Sequence, residues 1–404
     1  MRVEAARVRR PASPAPASPA SVSRESTSSV LVVADPTTRG GPVPLSVPTV
    51  LGAGETRGGS LAVTTLSYRE LLAPAPPGRE ADGRDPALVV LCFPYDHWDR
   101  HIEGVVPGPY GNAAYSWALR VFLERVGHAV RRRVGPAAVF LNPPGAIART
   151  RNKAEVKRAL VAAGVPTPPA FEPRTAAELR SLLDDGHQLY LKAVCGSMGK
   201  GITVLTADRW RTTFEIEGGV LRAPAPDPAR AGGEQWPVHD LDPGDDRAFD
   251  ALARAVARGD LLCEAAVEPP RAGGWGELRV TVLRGEVVAC TAVGREGPDR
   301  SPDPDGERGR ATSVPPGPAV TATGRAATRA LGLGYAVFDV LLGPHGPQIV
   351  DVQAFPALDS EPRTLRRILA PPTPPTTRAA AGLGNGTTTG GRADPDSPDR
   401  KRNR

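Results

Sequence analysis

The chain has 404 residues and a formal charge of +6 at pH 7, with room for two or three domains around a sizeable core. Residues 1–30 carry five basic and two acidic side chains and residues 361–404 carry nine and four, leaving −2 on the stretch between them. A fold that binds nucleic acid should concentrate positive charge on itself, so this distribution argues against that class; nor does any stretch reach the ~20 apolar residues of a membrane span.

Residues 1–28 open the chain. The run of Pro, Ala and Ser from Pro11 to Ser29 buries too little apolar surface to order itself and is expected to be a disordered tail. Arginines precede it, but no apolar run of signal-peptide length follows. Ser29 to Asp35 reads as a first strand and Ala87 to Phe93 as a second. Between Ala113 and Arg133, Trp117, Val121, Phe122, Val126 and Val130 recur at helical spacing and predict an amphipathic helix. Ala138 to Leu141 is a short strand closed by Asn-Pro-Pro-Gly. Strands alternating with helices predict an open α/β domain over residues 29–150.

A helix opens at Thr150-Arg-Asn-Lys153 and runs to about Ala163, where Gly164 and Pro166 end it. Thr175 and Glu178 form a capping box for a helix reaching Asp185. From Trp210 to Asp246 the pattern gives way to a Gly-, Pro- and Asp-rich surface insertion. A helix over Ala248 to Arg258 follows, then strands at residues 261–263, 277–283, 287–293, 337–342 and 348–353. The last stretch, residues 369–404, is rich in Pro, Thr and Gly and reads as a solvated, disordered tail. Cys92, Cys195, Cys263 and Cys290 form no CxxC pair, so buried free thiols and a reducing, cytoplasmic setting are expected.

Lysine is the informative residue. The chain has 45 arginines and five lysines, four of which (Lys153, Lys157, Lys192 and Lys200) fall in a 48-residue window. A chain that writes arginine by default keeps lysine where a compact point charge is needed, and phosphate is the commonest such target. Lys157, four residues after Lys153, is instead expected on a solvated helix face. Lys192 sits in the middle of an apolar strand, Leu189 to Ala193, followed by Gly196-Ser197-Met198-Gly199-Lys200-Gly201 and a second apolar strand ending at Leu205. Glycines let backbone N–H groups approach phosphate oxygens. The loop is not a Walker loop, because Lys200 precedes Gly and the loop leads into a strand. An ordinary hairpin with glycines for turn geometry is the plainer alternative.

A second constellation lies in Val337 to Gln353. If Pro344-His345-Gly346 is a three-residue turn, Gly343 faces Pro347 and Asp339 lies opposite Asp351, with Gln353 on the same face. Facing carboxylates repel unless a cation lies between them, and two carboxylates plus an amide oxygen are hard ligands of the kind Mg²⁺ takes beside nucleotide phosphates.

Both constellations, in this order, resemble the ATP-grasp superfamily, in particular its glutathione synthetase-like, carboxylate–amine ligase branch. The resemblance runs from about Arg151 to Ser360 and includes Asn152-Lys153, Lys192, the Gly-rich lid, Leu261 to Val267, Glu277-Leu-Arg279, Arg295 and the closing hairpin. It implies an α/β architecture: a pre-ATP-grasp domain over residues 29–150, then an ATP-grasp domain over residues 151–368 with a lid near residues 165–262. It further implies that Lys153 and Lys192 contact nucleotide phosphates beneath a lid of Gly196, Ser197, Gly199, Lys200 and Gly201. Glu264, Ala265 and Val267 would line the adenine edge, and Glu277 or Glu268 would hold the ribose. Asp339, Asp351 and Gln353 would bind Mg²⁺, and Arg279 and Arg295 would stabilise the transferring phosphoryl group. The family usually has Glu and Asn where this chain has Asp351 and Gln353, which shifts the metal geometry.

The expected function is therefore an ATP- and Mg²⁺-dependent ligase joining a carboxylate to an amine or similar nucleophile through an acyl phosphate, on small-molecule or peptide substrates. Two alternatives stay open: a kinase of the same fold acting on a hydroxyl, and a nucleotide-binding module without turnover. Phe93 to His101, with Tyr110 to Asn112, is the expected acceptor side, since ligands bind beyond the carboxyl ends of strands in open α/β sheets. It reads as a hydrogen-bonded loop. The oligomeric state stays open, a homodimer included.

Overall fold

Short β-branched runs following one another through helical connections make a parallel sheet the natural outcome of the N-terminal stretch. In the computed structural model, β1 (Ser29–Val33), β2 (Ala62–Leu66), β3 (Ala87–Leu91) and β4 (Val139–Phe140) form a four-stranded parallel sheet in the order β2-β1-β3-β4. The structure describes residues 29–35, 37–38, 41–42, 62–74, 87–197, 199–223, 236–267, 276–293, 312–356 and 368, all within one compact unit, Met1–Leu369. Both tails predicted from composition, together with Glu268 and Arg295, lie outside the described residues.

Helices α1 (Tyr68–Leu72), α2 (Tyr95–His101) and α3 (Ala113–Val134) belong to this half. The stretch from Phe93 to His101 was expected as a loop, but Tyr95–His101 is helical, with Trp98 buried on its inner side. Helix α3 matches its prediction in extent, but its buried face differs. Tyr115, Leu119, Phe122, Leu123, Val126 and Val130 point inward, while Trp117 and Val121 are 64% and 41% exposed. The inward residues follow the i, i+4, i+7 rule from Tyr115. Beyond β4, Asn-Pro-Pro-Gly does not merely close a strand, because Pro144 sits in the first turn of α4 (Pro144–Thr150), where its missing N–H costs nothing.

Helix α5 (Lys153–Ala162) starts where expected, and the Asn152 side chain caps it by accepting from Glu155 N. Helix α6 (Ala176–Asp184) is capped by Thr175, which accepts from Glu178 N, while the Glu178 carboxylate reaches Arg174 N, one residue ahead of the capping-box position. A six-stranded antiparallel sheet then runs β9-β8-β7-β6-β10-β5, built from β5 (Ala170–Phe171), β6 (Leu189–Ala193), β7 (Ile202–Leu205), β8 (Trp210–Thr212), β9 (His239–Leu241) and β10 (Leu261–Ala265). The stretch expected as a surface insertion thus supplies two of its strands, and it buries Trp210, Phe214, Leu221 and Trp236. Large aromatic side chains anchor it, which glycine and proline content alone does not reveal. Helix α7 (Asp246–Ala257) follows, capped by Asp245.

The last sheet is antiparallel, in the order β13-β12-β11-β14-β15, from β11 (Glu277–Leu283), β12 (Glu286–Val293), β13 (Thr312–Ser313), β14 (Tyr335–Gly343) and β15 (Gly346–Gln353), with α8 (Pro318–Leu331) packed on it. Gly343 pairs with Gly346, so the turn has two residues, not the three expected, and the register is one residue tighter from Gly343 to Val340. A bulge between Asp339 and Val340 restores the expected pairing of Asp339 with Asp351.

Candidate active site

The strands and the start of α5 bring five of the predicted site residues from distant stretches into one charged cluster. Asp339 and Asp351 face each other across β14 and β15. The Lys153 ammonium, on the first turn of α5, meets Asp351 Oδ1 at 2.6 Å. Arg279, directly opposite Asp339 on the other side of β14, places Nε 3.0 Å from Asp339 Oδ1. Lys192, at the centre of β6, reaches over to Val350 O at 3.5 Å and to Glu264 Oε2 at 2.7 Å.

Glu264 is where the structure departs most from expectation. It was read as lining an adenine edge, but it is 2% exposed and its carboxylate turns toward the lysines. It lies on the face of β10 shared with Lys192, because residues two apart on a strand point the same way and Lys192 pairs with Leu262. Its other oxygen takes the ammonium of Lys157. Lys157 is therefore buried (7% exposed), not on a solvated face, and its ammonium also donates to Thr167 Oγ1 and Pro168 O, each at 2.6 Å. Spacing within a helix could not show this, since its partners come from β10 and from the chain after α5.

The electrostatics follow from these pairings. Burial raises the Asp339 carboxyl above its ordinary value and the facing Asp351 adds to that, while Arg279 offsets only part. Burial also pushes Asp351 up, but Lys153 and Lys192 override it and hold the carboxyl below its usual range. The Lys192 ammonium loses solvation, yet Glu264 more than compensates and raises it. For Lys157 desolvation wins and the ammonium is lowered despite Glu264.

The Gly-rich connection between β6 and β7 folds against the N-terminal half. Lys200 was read as a phosphate contact, but it is 6% exposed and ion-paired with Glu103. Its ammonium lies 4.5 Å and 4.6 Å from the ring centroids of Tyr110 and Trp236. Glu103 in turn accepts from Trp98 Nε1 at 2.7 Å. Gly201, at φ +76°, has no room for a side chain, since a Cβ would lie 2.9 Å from Ala193 Cβ and 3.1 Å from Phe214 Cζ. Close packing therefore accounts for this glycine. Ser197 and Gly199 lie in the same connection, with Gly199 at φ +75° and open space around it.

The remaining predicted residues fall nearby. Ala265 ends β10 and Val267 follows it, while Glu277 begins β11 and its charge adds to the upward push on Asp339. Gln353 is exposed at the end of β15. Among the described residues no three His, Cys, Asp or Glu side chains converge as a metal cage. The donor set available to a cation is Asp339, Asp351 and the Gln353 amide. Facing carboxylates with an amide oxygen beside them fit a hard divalent ion. A cavity of about 20 Å³ bordered by Lys153, Lys157, Glu264 and Asp351 holds roughly one water in this conformation. On the expected acceptor side, His97 stacks on Phe122 at 3.7 Å and burial pushes its pKa down to about 4, so the imidazole is neutral.

No family model matches the chain. It is similar to a probable alpha-L-glutamate ligase of Maridesulfovibrio salexigens, 26% identical over 242 residues that cover 59% of this chain and 67% of the relative. Among solved structures it is similar to the D-cycloserine synthetase DcsG, at 17% identity and TM-score 0.47, covering 84% of this chain and 99% of that one. It is also similar to a Chryseobacterium gregarium RiPP-associated ATP-grasp ligase in complex with ADP and a leader and core peptide, at 12% identity and TM-score 0.49, covering 84% and 95%.

Proposed function

We propose that the chain is an ATP-grasp ligase that uses ATP and Mg²⁺ to join a carboxylate to an amine or similar nucleophile. The observation that carries this reading is the convergence of Lys153 and Lys192 on Asp351, Asp339 and Arg279 from four separate stretches of chain. Two point-charge lysines beside a carboxylate pair suit a metal-bridged polyphosphate. Mg²⁺ on Asp339, Asp351 and Gln353 would neutralise charge on the phosphates. Lys153 would leave Asp351 for a phosphate oxygen, and Lys192, already presented by Glu264, would take another.

In the reaction, a substrate carboxylate oxygen bonds to the γ-phosphorus while the bond to the ADP oxygen breaks, giving an acyl phosphate. The amine then bonds to the acyl carbon, phosphate leaves, and the amine gives up a proton. Arg279 would donate to the transferring phosphoryl oxygens, a role supported by its position beside Asp339. Arg295 is assigned the same role, and Ala265, Val267 and Glu277 or Glu268 the adenosine side, from the resemblance. The boundary between an N-terminal domain (residues 29–150) and an ATP-grasp domain (residues 151–368) is part of this reading. It is supported by the change from a parallel to antiparallel sheets between Phe140 and Ala170. Small acids, amines or peptides are the substrate classes proposed. Four buried free thiols accord with a cytoplasmic setting.

Calorimetric titration with Mg·ATP tests the binding half. Lys192→Ala and Asp339→Ala should each weaken affinity by about tenfold or more, on the order of 1.4 kcal/mol each. Unchanged affinity in both would refute the site. Release of both ADP and phosphate, dependent on an acid and an amine drawn from a panel, tests the ligase half.

A further inference from the structure

The nucleotide reading leaves one partly buried cation, Arg151, unused. Arg151 caps the end of α4, two residues before Lys153. Its guanidinium carbon lies 5.5 Å from the centroid of the Phe93 ring and 5.4 Å from that of Trp98. Nε and Nη2 are both buried and meet no hydrogen-bond acceptor among the described residues. A permanently charged group with two unpaired N–H donors away from water is costly, and such a cost is kept where a ligand relieves it. Nε and Nη2 together form the side-on fork of a guanidinium, the edge that matches both oxygens of one carboxylate.

The chain's own acids nearby are engaged elsewhere. Glu103 binds Lys200 and the Trp98 indole, and Asp351 binds Lys153. The neighbouring Cys195 thiol is raised by burial, and the charge of Arg151 and a hydrogen bond from its guanidinium offset that only in part, so the thiol stays protonated and is a weak acceptor that leaves Nε and Nη2 unmet. The place also fits a substrate. Phe93 follows β3 at the carboxyl end of the parallel sheet, and its ring packs edge-on against Phe355 at 5.2 Å, two residues past Gln353. Arg151 thus lies between the mouth of the N-terminal sheet and the end of the hairpin that carries Asp339 and Asp351.

We propose that Arg151 is a substrate-positioning residue that anchors a carboxylate through Nε and Nη2, flanked by Phe93 and Trp98, beside the phosphate-handling Lys153. This rests on the ligase reading for its place in the reaction. A flat anion suits a guanidinium walled by two aromatic rings better than a tetrahedral phosphate does. A carboxylate with both oxygens held by the fork is a weak nucleophile, so the anchored group is not the one that is phosphorylated. The substrate class that follows is an acid bearing at least two carboxylates, one held by Arg151 and one reacting.

The test is calorimetric titration of the full-length protein with glutarate, glutaramide and inorganic phosphate, with and without Mg·ADP. Glutarate should bind the wild type and glutaramide should not. Arg151→Gln should weaken glutarate binding by at least about tenfold while Mg·ADP affinity stays within about twofold. Arg151→Lys, which keeps the charge without the fork, should recover only part of the loss, and it serves as the variant of record if Arg151→Gln does not fold. Glutarate binding equal in the wild type and the variants, no glutarate binding at all, or phosphate bound in preference to glutarate would each overturn the proposal. If Mg·ADP fails to bind the wild type, the ligase reading falls, and the glutarate titration without nucleotide still decides the anchor.

Discussion

The buried triad of Lys157, Glu264 and Lys192 makes a sharp quantitative prediction. The side chains of Lys157, Glu264 and Lys192 are 8%, 3% and 15% exposed, and each carboxylate oxygen serves a different ammonium. Glu264→Gln keeps the shape but removes the charge between two cations. Two ammoniums bonded to one carboxylate lie roughly 5 Å apart, so at an effective dielectric of about 20 their unscreened repulsion is on the order of 3 kcal/mol. Breaking a buried pair from one side costs about 3–5 kcal/mol by direct measurement on other proteins, the same range. Lys157→Met leaves a one-to-one Glu264–Lys192 pair and keeps an apolar stem in place but takes a donor from Pro168 O, so it should cost less than Glu264→Gln, about 1–2 kcal/mol. The sign with pH also differs. Burial raises the Glu264 carboxyl, but Lys192 and Lys157 hold it below its ordinary value. Its contribution is therefore present above the ordinary carboxylate pKa and lost as pH falls through the lower folded value. Lys157 titrates below its ordinary value, so the penalty of Glu264→Gln should shrink at alkaline pH as Lys157 sheds its proton. Urea denaturation of the wild type and both variants across pH measures this. A loss under about 1 kcal/mol for Glu264→Gln at neutral pH, or a larger loss for Lys157→Met than for Glu264→Gln, would refute the reasoning.

Three further outcomes follow from single side chains. Gly201→Ala should destabilise by about 2 kcal/mol, from a left-handed backbone at φ +76° plus overlap with Ala193 and Phe214, and a denaturation midpoint within error of the wild type would contradict that. Burial pushes the Asp35 pKa up to about 6, so its contribution to stability should fall as pH rises from the ordinary carboxylate value to about 6 and then level off. Asp35→Asn, whose amide oxygen can still accept from Asp96 N, should flatten that part of a pH–melting profile; an unchanged slope would sink the assignment. Asn142 is 4% exposed, accepts from Gly334 N and Tyr335 N, and donates to Tyr335 O and Ala354 O. Asn142→Ala should cost about 2–4 kcal/mol by stranding those main-chain groups, and a change under about 1 kcal/mol would show that they find other partners.

What was legible in the sequence was whatever local chemistry dictates. Apolar strands, the Thr175 cap and the extent of α5 all follow from residues within one turn or one pleat of each other. The facing of Asp339 and Asp351 was reached through a wrong turn: a three-residue loop and a regular ladder gives the same pairing as a two-residue loop followed by a bulge. Bulges carry no strong residue signature here, so two errors cancelled. Partnerships made at long range were not legible. Nothing near Lys157 in the chain marks Glu264 as its counter-ion, and nothing near Lys200 marks Glu103. The stretch after Trp210 misled because its composition says loop while its aromatic residues say core, and burial favours the aromatics.

The scarcity of lysine has a physical explanation that goes beyond phosphate binding. The four lysines in the described residues, Lys153, Lys157, Lys192 and Lys200, have side chains 17%, 8%, 15% and 6% exposed, and each is ion-paired with a carboxylate. Surface arginines such as Arg100 and Arg174 meet their partners with side chains 70% exposed. A guanidinium is wide, presents five donors and cannot lose its proton, so burying one demands a broad set of acceptors. An ammonium fits a narrow gap, turns its three donors freely and can be raised or lowered by its neighbours. In a chain that uses arginine for general positive charge, lysine is therefore kept for interior positions where a small cation must be held by one carboxylate. Arg151 tests the same logic from the other side. It is a partly buried arginine whose fork, Nε and Nη2, meets no hydrogen-bond acceptor among the described residues.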